Sequence, residues 1–140
     1  MNIRFATPDE ITQWDTIVPQ NPDGGNVLQG IIFTDLKRAS GWQVRHIVCD
    51  TAAMVAMEKH IPLLGLIWYI PKGPGVATTE QLHAVLDELI PFAKKQGVFT
   101  IKIEPELPLG TDLSTLPIIQ TRPIQYNCST VVVDLRPDLE

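Results

Sequence analysis

The feature that most constrains this chain is its longest apolar run, Ile61 to Ile70, followed at once by Pro71-Lys-Gly-Pro-Gly75. Ten residues interrupted by Pro62 and Gly65 fall far short of the roughly 20 that a membrane-spanning helix needs. Within the run, Leu63 to Ile70 reads as a strand buried on both faces, at the centre of a sheet. The Pro/Gly segment breaks the chain. Thr78 and Thr79 then precede an amphipathic helix from Glu80 to Gln96, with Leu82, Val85, Leu86, Leu89, Phe92 and Ala93 on its apolar side. Lys94, Lys95 and Gly97 are the expected chemistry of its C-terminus. Pro91 inside it predicts a kink or local break. Val98 to Glu104 is a further strand, with Phe99, Ile101 and Ile103 on one face. Strand, helix and strand in that order imply a crossover.

The residues upstream extend the pattern. Thr7-Pro8-Asp9-Glu10 opens a helix: Thr7 caps, Pro8 suits the first helical position, and the acids complement the dipole. Ile11, Trp14, Ile17 and Val18 continue it at helical spacing. Pro19-Gln-Asn-Pro-Asp-Gly-Gly25 is a loop. A second helix is predicted from about Val27 to Ala39, with Leu28, Ile31, Ile32, Leu36 and Ala39 as its apolar stripe and Gly41 as its stop. Trp42 to Cys49 alternates as a strand. Ala52 to Lys59 is a weaker strand candidate whose composition also suits a helix. Downstream, Leu107 to Leu116 is irregular, with room for one short helix at Thr111 to Leu116. Cys128 to Leu135 reads as a last strand. Strands in succession imply hairpins, so the expected fold class is α/β (α+β): a mixed sheet with helices packed on it.

The 140 residues are 44% hydrophobic and 19% charged, which describes one globular domain with an adequate core. Net charge is −5, which argues against a general electrostatic binder of nucleic acid and leaves room for a local basic pocket. The N-terminus lacks the apolar stretch of a signal peptide. Cys49 and Cys128 have no CxxC partner and no metal-ligand spacing, so reduced cysteines in a cytosolic protein are expected. The end, Asp134-Leu-Arg-Pro-Asp-Leu-Glu140, reads as a strand exit followed by a helix start. That predicts the N-terminal half of a longer protein; an ordinary frayed tail is the other reading.

Candidate chemistry centres on Trp68-Tyr-Ile-Pro-Lys-Gly-Pro-Gly-Val76, at the point where α/β proteins place ligand loops. Aromatic and cationic side chains there suit a phosphate or a sugar; a plain strand-to-helix turn is the simpler reading. GNAT-type acetyltransferases have a similar element order, and Gly73 and Gly75 match the glycines of their pyrophosphate loop. Ile70, however, stands where that loop has Arg or Gln, and Pro71 and Pro74 lack the N–H donors of a phosphate cradle. Acetyl-CoA binding is therefore disfavoured. Lys37 and Arg38 offer point charges on the second helix, although adjacent basic residues are commonly just a solvated face. His46, His60 and His83 form no triad by spacing. Glu104 and Glu106 suit a solvated strand end better than a base. Tyr126 and Cys128 carry no clear signal.

Taken in order, several segments resemble the N-terminal part of the FemABX family of non-ribosomal peptidyltransferases. They are Leu28-Gln-Gly-Ile-Ile-Phe-Thr-Asp-Leu-Lys37, Gly41-Trp42, Trp68-Tyr-Ile-Pro-Lys-Gly-Pro74, Phe92-Ala-Lys94, Ile101-Lys-Ile-Glu-Pro105 and Ser129-Thr-Val-Val-Val-Asp-Leu135. The resemblance implies a GNAT-like domain, one of a pair, in a cytoplasmic enzyme acting at the inner face of the plasma membrane. It implies transfer of an amino acid from aminoacyl-tRNA, as co-substrate, to an amine on the peptide stem of a peptidoglycan precursor, either lipid II or a nucleotide-linked muropeptide. By the same resemblance Lys37 matches a residue that contacts the precursor's phosphates. Tyr69 and Lys72 match the loop lining its groove, and Trp42 belongs to the same substrate-binding set. No cofactor, metal or catalytic residue is implied within these 140 residues, and the chain alone is expected to be inactive. The missing C-terminal domain is the expected partner, and an exposed docking face would also admit self-association. Two other readings stay open: a small-molecule N-acyltransferase using acyl-CoA, and a non-catalytic association module.

Overall fold

A computed structural model describes residues 2–124. Its sheet has five strands in the order β1 (Ile3–Phe5), β2 (Gln43–Cys49), β3 (Ala52–Ile61), β4 (Gly65–Ile70) and β5 (Val98–Ile103). The first four run antiparallel to their neighbours, and β5 joins β4 in parallel. The parallel pair is joined by α4 (Thr79–Lys95), as the crossover reading requires. On the opposite face lie α1 (Pro8–Thr12), α2 (Trp14–Ile17) and α3 (Ile31–Ala39). This is the GNAT-like α/β arrangement expected from the sequence.

Each face of the sheet has its own core. Ile47, Met54, Ala56, Trp68 and Ile70 pack against Leu82, Val85 and Leu89 of α4. Ala53, Val55, Met57 and Tyr69 pack against Trp14 and Val18. The period-two alternation in β3 thus feeds both cores, which resolves the ambiguous Ala52 to Lys59 segment as the most buried strand. Its small and flexible side chains permit close approach of helices on both sides.

The β3 strand poses a hydrogen-bonding problem. It pairs with β2 along Ala52–Glu58 but with β4 only from Met57 to Ile61. The β4-facing groups of Ala53 and Val55 therefore lack a strand partner, and burial without one would cost roughly 1–3 kcal/mol per group. Two buried amides take the place of the missing strand. Asn21 accepts from Ala53 N–H and donates to Ala53 C=O, both at 2.8 Å. Gln29 accepts from Val55 N–H at 2.5 Å and donates to the carbonyl of Pro71. The Gln29 carbonyl in turn accepts from Trp14 Nε1 at 2.8 Å. Gly75 is required by this arrangement, because a β-carbon there would lie 2.1 Å from Asn21 Nδ2.

Several expectations need correction. A three-residue strand, β1, precedes the first helix. Thr7 caps α1 with a complete capping box to Glu10, but the helix breaks at Gln13. The second helix begins at Ile31, after a separate 3₁₀ turn at Val27–Gln29. Its predicted stripe is misassigned: Ile32 is 85% and Leu36 62% exposed, while Thr34 is buried. The Thr34 hydroxyl donates to the carbonyl of Ile31, which lets a polar residue face inward. Leu63 and Leu64 belong to a turn, not to β4. The register shift between β4 and β5 turns Phe99 outward, away from Ile101 and Ile103. Residues 111–116 form turns without a helix. Pro91 causes no break in α4. The predicted strand Cys128 to Leu135 lies outside the described residues.

Two outcomes follow from these contacts. Gly75→Ala forces Asn21 off Ala53 and is expected to destabilise the fold by about 2 kcal/mol in urea unfolding; a loss near zero would remove Asn21 from this role. His46, 4% exposed, lies edge-on to Trp14, and its Nε2 has no hydrogen-bond partner among the described residues. Burial, with help from the Arg38 charge, lowers its pKa from 6.5 to about 4. The unfolded chain therefore binds more protons between those values, and stability falls as pH drops from 6.5 toward 4. His46→Gln should flatten that part of the stability profile.

Candidate functional site

The chain leaves β4 at Ile70 and enters a loop whose position is set by its carbonyls. Pro71 C=O is held by Gln29. The carbonyls of Ile70 and Gly73 both accept from Glu104 N–H, at 3.3 and 3.0 Å. The Val76 amide is spent on Pro74 C=O at 2.9 Å. With Pro71 and Pro74 donating nothing, this loop is poorly suited to cradle a pyrophosphate with backbone amides.

What it presents instead are side chains. Tyr69 is nearly buried, and its hydroxyl donates to Glu104 Oε2 at 2.9 Å. The other oxygen of Glu104 accepts from Ile124 N–H. Lys72, at a left-handed φ of 48°, reaches Glu106 Oε1 at 3.3 Å. Glu106 Oε2 accepts from Asn26 Nδ2 at 2.7 Å. Asp23 stands close by. Burial raises its carboxyl above the usual range, and the charge of Glu106 adds to the effect. One ammonium, two glutamates, a phenol and an amide thus converge where β4 and β5 end. A cavity of about 840 Å³ opens beside them along β5 and α4, walled by Lys72, Thr100, Lys102, Glu104, Leu86 and Ile118.

Trp68, the first aromatic of the segment suited to a phosphate or a sugar, is not available to a ligand. It is buried, and its indole N–H donates to Glu58 Oε2 at 2.8 Å. Arg45 holds Glu58 Oε1 with two donors, at 2.8 and 3.1 Å. Burial pushes the Glu58 carboxyl upward, but the Arg45 and Trp68 hydrogen bonds outweigh it, and the group stays ionised below its ordinary range. Buried Glu58, with half-exposed Arg45 on one side and Trp68 on the other, thus links β2, β3 and β4.

Lys37 and Trp42 lie elsewhere. Trp42 N–H donates to Lys37 C=O at 3.1 Å, so the two share the turn that ends α3. Lys37 Nζ sits 5.1 Å from the centre of the Phe33 ring, and Lys59 Nζ 4.7 Å from that of Trp42. Because Gln43 is level with Glu58 and Trp68, Trp42 is level with Ile67, in the middle of β4, and Lys72 lies in the turn beyond Ile70. The strand rise sets Trp42 and Tyr69 only about 7 Å apart along the sheet. Both Trp42 and Tyr69 pack on the α1–α3 face. The four residues singled out from sequence therefore fall into two groups, Lys37 with Trp42 at the turn that ends α3 and Tyr69 with Lys72 where β4 ends.

His46 is in the core, His83 pairs with Asp87 at 3.0 Å, and His60 is exposed on the other end of β3. No nucleophilic triad arises from them. Asn21, Asn26 and Gln29 are the residues that sequence reading missed. They lie in a segment recognisable only as a loop and a presumed helix start, and their partners are 26 to 80 residues away.

Comparison with known proteins agrees with this architecture. The model of the FemAB family matches residues 8–129. Lipid II:glycine glycyltransferase of Staphylococcus aureus (strain MRSA252) is 31% identical over 108 residues, covering 70% of this chain and 25% of the relative. The protein of the same name from strain NCTC 8325 matches at the same identity and coverage. A solved structure, the crystal structure of FemX, superposes with a TM-score of 0.60 at 27% identity, over 79% of this chain and 29% of that one. This chain spans about a quarter of the length of the curated relatives it matches. The family model covers most of its residues, and the chain belongs to the FemAB family.

Proposed function

We propose that this chain is the N-terminal part of an aminoacyltransferase that moves an amino acid from aminoacyl-tRNA to the peptide stem of a peptidoglycan precursor of the lipid II type. The observation that carries the reading is the match to lipid II:glycine glycyltransferases on a domain that holds the two side-chain clusters just described. In this reading the domain forms the precursor groove. A second domain outside these residues completes the enzyme and meets the tRNA. The work is done in the cytoplasm against the inner face of the membrane. No helix of the described residues is long and apolar enough to cross a membrane.

The chemistry suits the geometry. A lipid-linked muropeptide is elongated, with a diphosphate at one end and a peptide amine at the other. Lys37 supplies a cation for the diphosphate, with Trp42 as a flat surface beside it. Further along the sheet, Tyr69, Lys72 and the carboxylates of Glu104 and Glu106 meet the stem, where an acceptor amine needs negative charge and a stem carboxylate needs a cation. The amine attacks the ester carbonyl of the aminoacyl-tRNA. An amide bond forms, the ester bond breaks, and the amine proton passes to the departing ribose oxygen. The ester is already activated, so the reaction needs no further cofactor. Positioning the two reactants is the main requirement, and no catalytic base is assigned here.

The complete protein is expected to transfer an amino acid from a charged tRNA pool to a lipid II-type acceptor. Absence of transfer with every charged tRNA would overturn the reading. Micromolar binding of acetyl-CoA by calorimetry would instead favour the acyl-CoA alternative. Within the complete protein, Lys37→Ala should weaken binding of a soluble nucleotide-linked muropeptide about tenfold, and the loss should shrink as salt rises. Lys72→Ala should weaken it by a similar factor. Full affinity in either variant removes that lysine from the groove.

A further inference from the structure

The turn between β3 and β4 is built from residues that the fold itself does not favour. Leu63 adopts a φ of 66°, a left-handed conformation that glycine or asparagine takes far more readily. Its side chain is 104% exposed, and the neighbouring Leu64 is 62% exposed. Neither packing nor backbone geometry accounts for two leucines here. Their position gives them company. The turn projects from the end of the sheet where α4 also finishes, because Leu66 N–H donates to Gly97 C=O at 3.3 Å. Phe99, 47% exposed, lies beside it, since a β-carbon on Gly65 would come within 3.7 Å of its ring. Lys94 and Lys95 close α4 at this end, Lys59 lies toward it on β3, and Lys37 lies in the last turn of α3. Arg38 is paired with Asp35 at 2.5 Å, and Glu58 is engaged by Arg45 at 2.8 Å, which leaves these lysines as the cations of this end. A chain of net charge −5 thus carries a positive rim around protruding leucines.

We propose that this end of the sheet docks on an anionic lipid bilayer, with Leu63 and Leu64 entering the interface and the lysines meeting the headgroups. Charge complementarity selects the occupant: an apolar tip ringed by ammonium groups matches an anionic lipid surface. The orientation of a bound precursor rests on the function proposed above. Lys37 lies at the docking end, so a diphosphate bound there stays near the membrane while the stem extends along the sheet toward Tyr69 and Lys72. A lipid-linked precursor fits that path.

The test is vesicle flotation of the complete protein, using phosphatidylcholine vesicles with and without phosphatidylglycerol and no precursor. Binding is expected only with phosphatidylglycerol and should fall as salt rises. Leu63→Ser with Leu64→Ser alters exposed positions only and should weaken it about tenfold or more. Lys94→Gln with Lys95→Gln should weaken it about tenfold. Both variants should keep their circular dichroism and their affinity for the soluble nucleotide-linked muropeptide. Equal recovery with both vesicle types, or flotation unchanged by the leucine pair, would overturn the proposal. So would self-association that the leucine pair abolishes in a protein that ignores vesicles, because the tip would then serve a second copy. The two readings fail separately: vesicles contain no precursor, and the muropeptide titration contains no bilayer.

Discussion

The structure depends on how the half-paired strand β3 is completed. A central strand with unanswered N–H and C=O groups in a dry core is not tolerable. β4 turns away at Ile70 before it can answer Ala53 and Val55. Asn21 and Gln29 supply what a longer β4 would have supplied. The other features of the region follow from that substitution. The chain between Val18 and Ile31 must dip into the core to deliver the two amides. Trp14 is fixed over it through the Gln29 carbonyl. Gly75 must lack a side chain to leave room for Asn21. The loop carrying Lys72 is then held in place because Gln29 also grips Pro71. By ending β4 early, the fold frees a loop and then immobilises it with side chains, which is how a binding loop can be both irregular and rigid.

How much of this was legible in the sequence depends on the range of the interaction. α4 was readable almost to the residue, because its stripe, cap and basic last turn are local signals. So were β2, β4 and the crossover to β5, whereas β3 stayed open between strand and helix. α3 was readable as a helix but not for orientation. Its apolar residues Ile32 and Leu36 face outward, and hydrophobic spacing cannot show that Thr34 answers its own hydroxyl within the helix. β1 is too short, at three residues, to carry a periodic signal. Phe99 was misplaced because it is an extra residue in β5 between the partners of Leu66 and Ile67, and one such irregularity inverts the facing of a strand.

The candidate site divides along the same line. Loop chemistry at Tyr69 and Lys72 was visible as a Pro/Gly punctuation after an apolar run. Glu104 and Glu106 were read as a solvated strand end, and Asn26 was not seen at all, because nothing in a local window ties residue 26 to residue 106. Nor did composition reveal that Lys37 and Trp42 form a group of their own at the turn ending α3, apart from Lys72. That separation emerges only from the register of β2, β3 and β4.

The uneven charge has a further physical consequence. An acidic body with one basic end has a large dipole moment as well as a net charge. Far from a negatively charged surface, net repulsion slows approach. Closer in, where the spread of charge across the molecule matters more than its sum, the dipole exerts a torque that turns the basic end forward. Salt shortens the distance over which that torque acts. The charge pattern therefore biases the angle of approach.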